Sequence, residues 1–434
     1  MACCALPKTV VAYPGNGLFA QQVARAFHET GRLHRFATTF VYDPEARWAR
    51  AVTALPGALG RRCAEALGRR CVTAVALPQI AIRPWWELGR SAAVALGANP
   101  PIVDWIWDRM ARDFTRQVAR RHVPACGAVY AYEYTALEAF ETAKAHHKPC
   151  MLDLPSLSSR EFEALLQRER AAFPELTTPY DGYFSELFEE RQARREQEIA
   201  LADILVTNSR LTARSHVAYG ADPSRVVTLP LAAPPAIGRV EVARPVNGGP
   251  LKVIWAGTFG IGKGAHYFLE AWRTLQPAPE AEAWVYGRLG LPQRCIEPRP
   301  RGIAFCGSVP QSELFQRFQQ ADALVFPTLS DGFGMVVNEA FSQGLPVITT
   351  DRAGAADLVR HRENGLVIRA GDPHAIAAAL RWCLEHRQEL AAMRHAALET
   401  AQGWQWPDYR RALIQRLEAA LERAGFEPTV AASH

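Results

Sequence analysis

The chain contains two successive series of short apolar runs that alternate with glycine turns and helical stretches. The first series opens with TVVAY at residues 9–13, followed by PGNG and QQVARAFHETG, and continues with apolar runs at 126–132, 147–155 and 202–209. The second series opens with LKVIWAG at 251–257 and continues with AEAWVYG, GIAFCG, ADALVFPT and LPVITTD. Apolar runs followed by turns and helices build parallel sheets that are covered by helices on both faces. The pattern therefore predicts an α/β fold with doubly wound sheets.

A proline-rich segment at 230–250 separates the two series. The chain has 434 residues, which is too many for one ordinary core. We therefore expect an N-terminal Rossmann-like domain over 1–232 and a C-terminal Rossmann-like domain over 250–404. Ligands of such sheets bind at the carboxyl ends of the strands, so the cleft between the domains is the expected site.

Composition narrows the class of protein. Hydrophobic residues make up 49% of the chain and charged residues 21%, which is typical of a globular protein. We find no signal peptide, no apolar run near the roughly 20 residues of a membrane span and no metal spacing among the nine cysteines. These features favour the cytoplasm.

Charge is distributed unevenly along the chain. Net charge is +5, but residues 45–121 carry 13 arginines, no lysine and 6 acidic residues. This asymmetry indicates that the segment binds a negatively charged partner, or that its charge serves only to keep the protein soluble.

The first glycine motif is GNGLFA, with Gly15 and Gly17 directly after the first apolar run. The spacing fits a dinucleotide-binding turn, which also requires an acidic residue roughly 20 positions later. Asp43 lies further away, and no clean strand leads to it. A turn that lets the backbone approach another ligand stays open as the alternative.

The second glycine motif, GTFGIGKG at 257–264, matches the P-loop pattern up to Lys263. The next position of a P-loop is Ser or Thr, whose hydroxyl holds magnesium, and here it is Gly264. The motif therefore argues against a magnesium-dependent NTPase. A glycine loop, a lysine and a helix N-terminus still suit phosphate oxygens.

The segment DGFGMVVNE at 331–339 places two acidic residues on either side of a glycine turn and a helix start. Phosphate fits such a helix N-terminus. Glu339 would accept hydrogen bonds from paired hydroxyls such as those of a ribose, and Asp331 would hold hydroxyls of a transferred sugar. Considered one at a time, Asp331 is also typical of a helix N-cap and Glu339 of a solvent-exposed helix residue.

These motifs together resemble the group 1 (family 4) glycosyltransferases of the GT-B type, and the resemblance covers most of the chain. AGTFGIGKGAHYFLEAW is similar to the family's glycine–lysine loop, FCGSVPQSELFQRFQQADALVFPT to its base-binding stretch and DGFGMVVNEAFSQGLPVI to its spaced-acid motif. LADILVTNSRLTARSHVAYG resembles the end of the N-terminal domain. The closing stretch at 405–424 is similar to the helix that returns to the first domain.

The resemblance implies a role for each matching residue. Lys263 would neutralise the donor diphosphate, Glu339 would bind the ribose and Asp331 the donor sugar, and these three are the candidate catalytic residues. Further donor contacts are expected from Gly257, Thr258, Gly264, Val309, Gly332, Phe333, Gly334 and Met335. Gly15 and Gly17 would lie opposite, beside the diphosphate or the acceptor.

Three positions depart from the family pattern. Thr258 stands where the family often has Arg, and Asp331 where it usually has Glu. Many members place a His in the first domain near the sugar, where this chain offers Tyr132 and Glu133. Glu133 is therefore a candidate for the acceptor or diphosphate side. No residue of the first domain is a convincing carboxylate nucleophile.

The expected function is retaining transfer from a nucleotide-diphosphate sugar to a glycan, lipid-linked or small-molecule hydroxyl, in cell-surface polysaccharide or glycolipid synthesis. We expect no metal or other cofactor, no nucleic-acid partner, and peripheral association of residues 45–121 with an anionic membrane surface on the inner face of the membrane. Two alternatives stay open. One is a non-catalytic subunit that binds nucleotide sugar, and the other is an epimerase or phosphorylase on the same fold.

Overall fold

The computed structural model describes residues 6–46, 49, 67–68, 70–239, 249–277 and 279–426. Within these ranges the strands are β1 (Thr9–Ala12), β2 (Leu33–Thr38), β3 (Ile80–Ile82), β4 (Ala128–Tyr132), β5 (Cys150–Leu154), β6 (Ile204–Thr207), β7 (Val226–Thr228), β8 (Leu251–Ala256), β9 (Ala281–Tyr286), β10 (Ile303–Gly307), β11 (Ala323–Phe326), β12 (Val347–Thr350) and β13 (Gly365–Ile368). The helices are α1 (Leu18–Glu29), α2 (Trp85–Ala95), α3 (Pro100–Arg121), α4 (Leu137–Ala145), α5 (Ser159–Ala172), α6 (Asp181–Glu186), α7 (Phe188–Leu201), α8 (Arg210–Ala218), α9 (Ala265–Leu275), α10 (Gln293–Ile296), α11 (Gln311–Gln320), α12 (Met335–Ser342), α13 (Pro373–Glu385), α14 (Arg387–Gln402) and α15 (Trp406–Arg423).

Two parallel sheets carry the fold. The first has the strand order β3-β2-β1-β4-β5-β6-β7, and the second has the order β10-β9-β8-β11-β12-β13. In each sheet the strand order reverses once, between β1 and β4 in the first and between β8 and β11 in the second. At such a reversal the loops on either side diverge and leave a crevice at the carboxyl ends of the strands. The predicted α/β fold with two doubly wound sheets is confirmed.

Several strands were not recognised from the sequence. β2 precedes Asp43 by five residues and contains His34 and Arg35, which interrupt its apolar pattern. The described part of residues 45–121 forms α2 and α3, and residues 80–82 form β3 at the edge of the sheet. Residues 47, 48, 50–66 and 69 lie outside the described part of this segment.

The last helix, α15, packs on the first sheet although it follows the second. Arg410 donates hydrogen bonds to Glu29 and Gln22 of α1, both at 2.7 Å. Leu413 and Leu417 are fully buried in the core that also contains α1. The linker reaches the same region, since Ala233 donates its backbone N–H to the Trp404 carbonyl at 3.1 Å. Residues 240–248 of the linker lie outside the described ranges.

The segment after β5 also connects the two domains, through contacts separate from those of α15 and the linker. Leu176, which follows α5, is 1% exposed and belongs to the core of the second domain. Glu169 of α5 bonds His266 of α9 at 2.9 Å, and Glu161 of α5 pairs with Arg352. These contacts hold α9 and the segment that contains Arg352 against the first domain.

Candidate active site

Four of the candidate residues occupy the two crevices where strand order reverses. Gly15 follows β1 and Glu133 follows β4 in the first sheet. Lys263 follows β8 and Asp331 follows β11 in the second sheet. Because β1 neighbours β4 and β8 neighbours β11, the fold brings each pair of loops together at one sheet edge.

Lys263 and Asp331 form an ion pair in the second crevice. Lys263 ends a short 3-10 turn over 261–263, and the carbonyl of Gly262 within it accepts three hydrogen bonds from the segment before Asp331. The donors are the hydroxyl of Thr328 at 3.0 Å and the backbone N–H groups of Leu329 at 3.0 Å and Ser330 at 3.3 Å. This shared acceptor joins the lysine loop to the segment before the spaced acids.

The backbone explains why Gly264 ends the lysine motif. Its φ is 73°, in the left-handed region, and a Cβ there would lie 2.1 Å from the carbonyl oxygen of Pro327. A Ser or Thr of the P-loop kind therefore does not fit. Helix α9 begins at the next residue, so its positive N-terminal end lies beside Lys263.

The turn from Asp331 to Met335 is clamped to the first domain. The Gly332 carbonyl accepts hydrogen bonds from the hydroxyls of Ser209 at 2.6 Å and Thr212 at 3.0 Å. A Cβ at Gly332 would lie 2.2 Å from the carbonyl oxygen of Pro155. The turn ends at Gly334, whose φ is 89° and which caps α12. The N-terminus of α12 is thereby placed in the cleft between the domains.

Glu339 lies on α12 next to the predicted base-binding stretch. Its carboxylate accepts a hydrogen bond from the side-chain amide of Gln311 at 2.8 Å. Gln311 begins α11 and stands two positions after Val309, so the structure places the Val309 turn near Glu339. Burial raises the pKa of Glu339, and the Gln311 hydrogen bond opposes that shift.

Glu133 lies where two cavities meet. It lines a cavity of about 720 Å³ together with Gly15, and a second cavity of about 460 Å³ together with Lys263 and Asp331. Its carboxylate is 3.8 Å from the Arg195 guanidinium. Glu133 therefore connects the predicted acceptor side to the lysine loop.

The turn that holds Glu133 is strained. Tyr134 has a φ of 74°, a conformation that costs a bulky residue on the order of 1–3 kcal/mol. The backbone N–H groups of Tyr134, Ala136 and Leu137 donate to the buried Glu198 carboxylate, and burial raises the pKa of Glu198 to about 7. Stacking of Tyr134 on Trp107, with ring centroids 5.0 Å apart, also holds the turn.

Gly17, Gly257 and Thr258 line neither of these two cavities. Gly17 caps α1, and the Asn16 side chain before it donates to the carbonyls of Phe40 and Arg70 at 2.9 and 2.7 Å. Gly257 has a φ of 119° and donates its N–H to the Tyr286 carbonyl at 2.9 Å. Thr258 is exposed beside it.

One carboxylate was missed. Asp153, near the end of β5, lines a third cavity of about 330 Å³ together with Asp331, Phe333, Gly334 and Met335. The sequence analysis did not single out Asp153, and the absence of a carboxylate nucleophile from the first domain stays a prediction. The only sequence signal is a single acid in the otherwise apolar run CMLDL.

Comparison with known proteins finds relatives among named glycosyltransferases. A family model described as Glycosyl transferases group 1 matches residues 250–386. D-inositol 3-phosphate glycosyltransferase of Corynebacterium urealyticum is 28% identical over 250 residues, which are 52% of this chain and 59% of that protein. Sulfoquinovosyl transferase SQD2 of Arabidopsis thaliana is 29% identical over 167 residues, 37% of this chain and 32% of that protein. This chain thus spans less than two thirds of the length of these relatives.

Solved structures share the fold over nearly the whole chain. HepE from Anabaena, in complex with UDP and glucose, has a TM-score of 0.60 at 14% identity and covers 95% of this chain and 100% of its own. Sucrose-phosphate synthase from Thermosynechococcus elongatus has a TM-score of 0.58 at 15% identity and covers 96% and 99%. The resemblance to group 1 glycosyltransferases is confirmed over residues 250–386, which match the family model, and the chain as a whole has the GT-B fold.

Proposed function

We propose that this protein is a retaining glycosyltransferase that moves a sugar from a nucleotide-diphosphate sugar to a hydroxyl acceptor. The observation that carries the proposal is the pairing of Lys263 with Asp331 between the N-termini of α9 and α12. A cation and two helix N-termini form a site for a diphosphate, because all three favour negative charge. Glu339, on the same helix as the glycine turn, completes the donor site.

The donor would exchange partners with the ion pair. Phosphate oxygens attract Lys263 away from Asp331, and the released carboxylate becomes free to accept hydrogen bonds from hydroxyls of the donor sugar. Glu339 accepts from the ribose hydroxyls in place of Gln311, and the Val309 turn meets the base. In this arrangement Asp331 binds the donor sugar and Glu339 binds the ribose, so each acid of the motif contacts one part of the donor.

The main catalytic contribution is electrostatic. As the bond to the sugar breaks, positive charge builds on the anomeric carbon and negative charge on the departing diphosphate. Lys263 and the ends of α9 and α12 stabilise the diphosphate charge, and preorganised groups of this kind commonly supply the largest catalytic effect. Retention follows from attack of the acceptor on the face that the diphosphate leaves, with the phosphate taking the acceptor proton. No metal is part of this proposal.

A panel of nucleotide sugars tests the proposed function. UDP-glucose is the first probe, because HepE was solved with UDP and glucose. Binding is measured by thermal shift, since a ligand of the folded state raises stability by mass action. Nucleotide release and the anomeric configuration of the product are then followed with candidate acceptors. Binding without any transfer would support the non-catalytic alternative, and an inverted product would contradict retention.

We also propose that the acceptor reaches the site from an anionic membrane surface. Helices α2 and α3 form a hairpin beside the 720 Å³ cavity, and Arg90 and Trp107 line both this cavity and a groove of about 570 Å³ along the hairpin. The hairpin and the residues before it expose a set of large apolar side chains: Leu77, Ile82, Trp85, Leu88, Val94, Leu96, Ile102 and Trp105. A lipid-linked acceptor could thus place its polar head in the cavity while its apolar part follows the groove.

Several arginines of residues 45–121 are paired with acidic residues in the structure. Arg70 and Arg90 both pair with Glu87 at 2.7 Å, and Arg83 pairs with Asp113 at 3.2 Å. Arg61, Arg62 and Arg69 lie outside the described residues. Apolar contact, with Trp85 74% exposed, therefore supports membrane docking more strongly than charge does. None of the helices in the described ranges combines the length and hydropathy needed to span a bilayer.

A further inference from the structure

Asp153 is a buried carboxyl group at the edge of the first sheet that faces the second domain. Its side chain is 7% exposed, and every residue of β5 around it is buried. The Glu133 backbone N–H donates to the Asp153 carbonyl at 3.0 Å, so the ends of β4 and β5 lie side by side. Asp153 therefore belongs to the same crevice as the predicted acceptor residues.

The cavity that Asp153 lines is walled by both domains. The second domain contributes Asp331 and the residues of the glycine turn, and the first contributes Tyr13, Phe19 and Asn208. Its volume of about 330 Å³ is near the lower end of the roughly 300–1,000 Å³ of small-molecule sites. Aromatic faces with carboxylates on opposite walls suit the apolar faces and hydroxyl edges of a sugar ring.

Hydrogen bonding at Asp153 is incomplete. The Tyr130 hydroxyl donates to one carboxylate oxygen at 2.5 Å. The Tyr132 hydroxyl, on a side chain that is 2% exposed, has no hydrogen-bond partner among the described residues. No ion pair with Asp153 is present in the described part of the chain. A buried carboxylate without a cation costs free energy, and so does a buried hydroxyl without a partner.

We propose that Asp153 contacts the substrate: its carboxylate accepts a hydrogen bond from a hydroxyl of the transferred sugar, on the side of the ring opposite Asp331. Tyr132 is the neighbour of Asp153 in the β4–β5 register and lines the adjacent cavity of about 720 Å³, from which its hydroxyl supplies a second contact to the bound substrate. This inference rests on the proposed function. It gives the cleft a carboxylate from each domain, so sugar binding requires the two domains to be in place together.

The test compares Asp153→Asn with Asp203→Asn in the full chain. Asp203 is a matched control, because it is a partly buried acid of the same sheet that bonds Lys144 and the Cys150 N–H at the opposite sheet edge. We expect Asp153→Asn to lower kcat/KM for the sugar nucleotide at least about 30-fold, while the Kd for UDP alone changes less than about 3-fold. Asp203→Asn should leave both constants near those of the wild type.

Tyr132→Phe is the second variant, because it removes only the unpartnered hydroxyl. We expect it to lower kcat/KM roughly 5- to 10-fold, with UDP binding unchanged. Equal activity of Asp153→Asn and the wild type, or equal losses in sugar-nucleotide and UDP binding, would overturn the inference. A wild-type protein that transfers no sugar would refute the proposed function, whereas an active wild type with an unaffected Asp153→Asn refutes this inference alone.

Discussion

Lys263 and Asp331 form an ion pair across 68 positions of the sequence, at the point where the second sheet reverses its strand order. The pair places a cation and an acid side by side in the cleft. Each partner holds the other in position, and a bound donor would separate them by offering phosphate to one and hydroxyls to the other.

Replacement of Lys263 by Ala should lower the rate of transfer at least about 100-fold, because the departing diphosphate loses its closest cation. Lys252→Ala is the matched control, since Lys252 lies on β8 of the same domain and its ammonium is 3.9 Å from Glu282. Rates are measured with saturating donor, and circular dichroism checks the fold. Near-wild-type activity of Lys263→Ala would refute its assignment to the diphosphate.

Glu339→Ala should also lower transfer at least about 100-fold and should weaken binding of the nucleoside diphosphate, because the ribose hydroxyls lose a charged acceptor. Glu313→Ala serves as the control, because Glu313 lies on the adjacent α11 and pairs with Arg317 at 3.2 Å. Isothermal titration with UDP measures the effect. If both variants bind UDP equally, Glu339 does not contact the ribose.

Transfer should not depend on a divalent metal. Lys263 and the N-termini of α9 and α12 supply the positive charge that a metal would otherwise provide. Activity is compared before and after EDTA treatment, with magnesium or manganese added back. A loss with EDTA that either ion restores would contradict this prediction.

The hairpin of α2 and α3 should bind vesicles mainly through its apolar side chains. We expect the wild type to sediment with vesicles that contain anionic lipid, and Trp85→Ser/Trp105→Ser to reduce the bound fraction at least about 5-fold. Leu289→Ser is the control, because Leu289 is an exposed apolar residue of the second domain. Salt should lower the binding only in part, since screening acts on the charges alone. Wild-type protein that stays in the supernatant at low salt would exclude membrane docking.

The stability of the protein should depend on Asp153 in a pH-dependent way. Burial raises the pKa of Asp153 from 3.8 to about 7, and the hydrogen bond from the Tyr130 hydroxyl opposes that shift. The folded state therefore binds more protons than the unfolded state between about pH 4 and 7, so this residue destabilises the fold progressively as pH rises through that window. The cost above pH 7 is at most about 4 kcal/mol.

Asp153→Asn removes this cost, because the amide stays neutral and still accepts from Tyr130. We expect the Tm difference between variant and wild type to be more positive at pH 8 than at pH 5 by at least about 3 °C. The tyrosines around Asp153 do not titrate in this range, since burial raises the pKa values of Tyr13, Tyr130, Tyr132 and Tyr409 above 10. A Tm difference that is independent of pH would show that Asp153 is not protonated near neutrality.

The sequence by itself determined the fold class and the position of most candidate residues. Alternation of apolar runs with turns is a local property, and so are the glycines that allow the lysine loop and the spaced-acid turn. Gly264 illustrates this, because its left-handed φ of 73° favours glycine, the residue that the motif places there. The resemblance to group 1 glycosyltransferases rested on the same short motifs, and the comparisons confirmed it over residues 250–386.

Only the tertiary structure decided which residues meet and what each one faces. Asp153 was overlooked because a single acid in an apolar strand gives no sign of the cavity beside it. The arginines of residues 45–121 looked free to meet an anionic surface, yet Arg70 and Arg90 share Glu87. Burial, ion pairing and the contents of a cavity depend on elements distant in sequence that pack together, and local patterns carry no information about those distances.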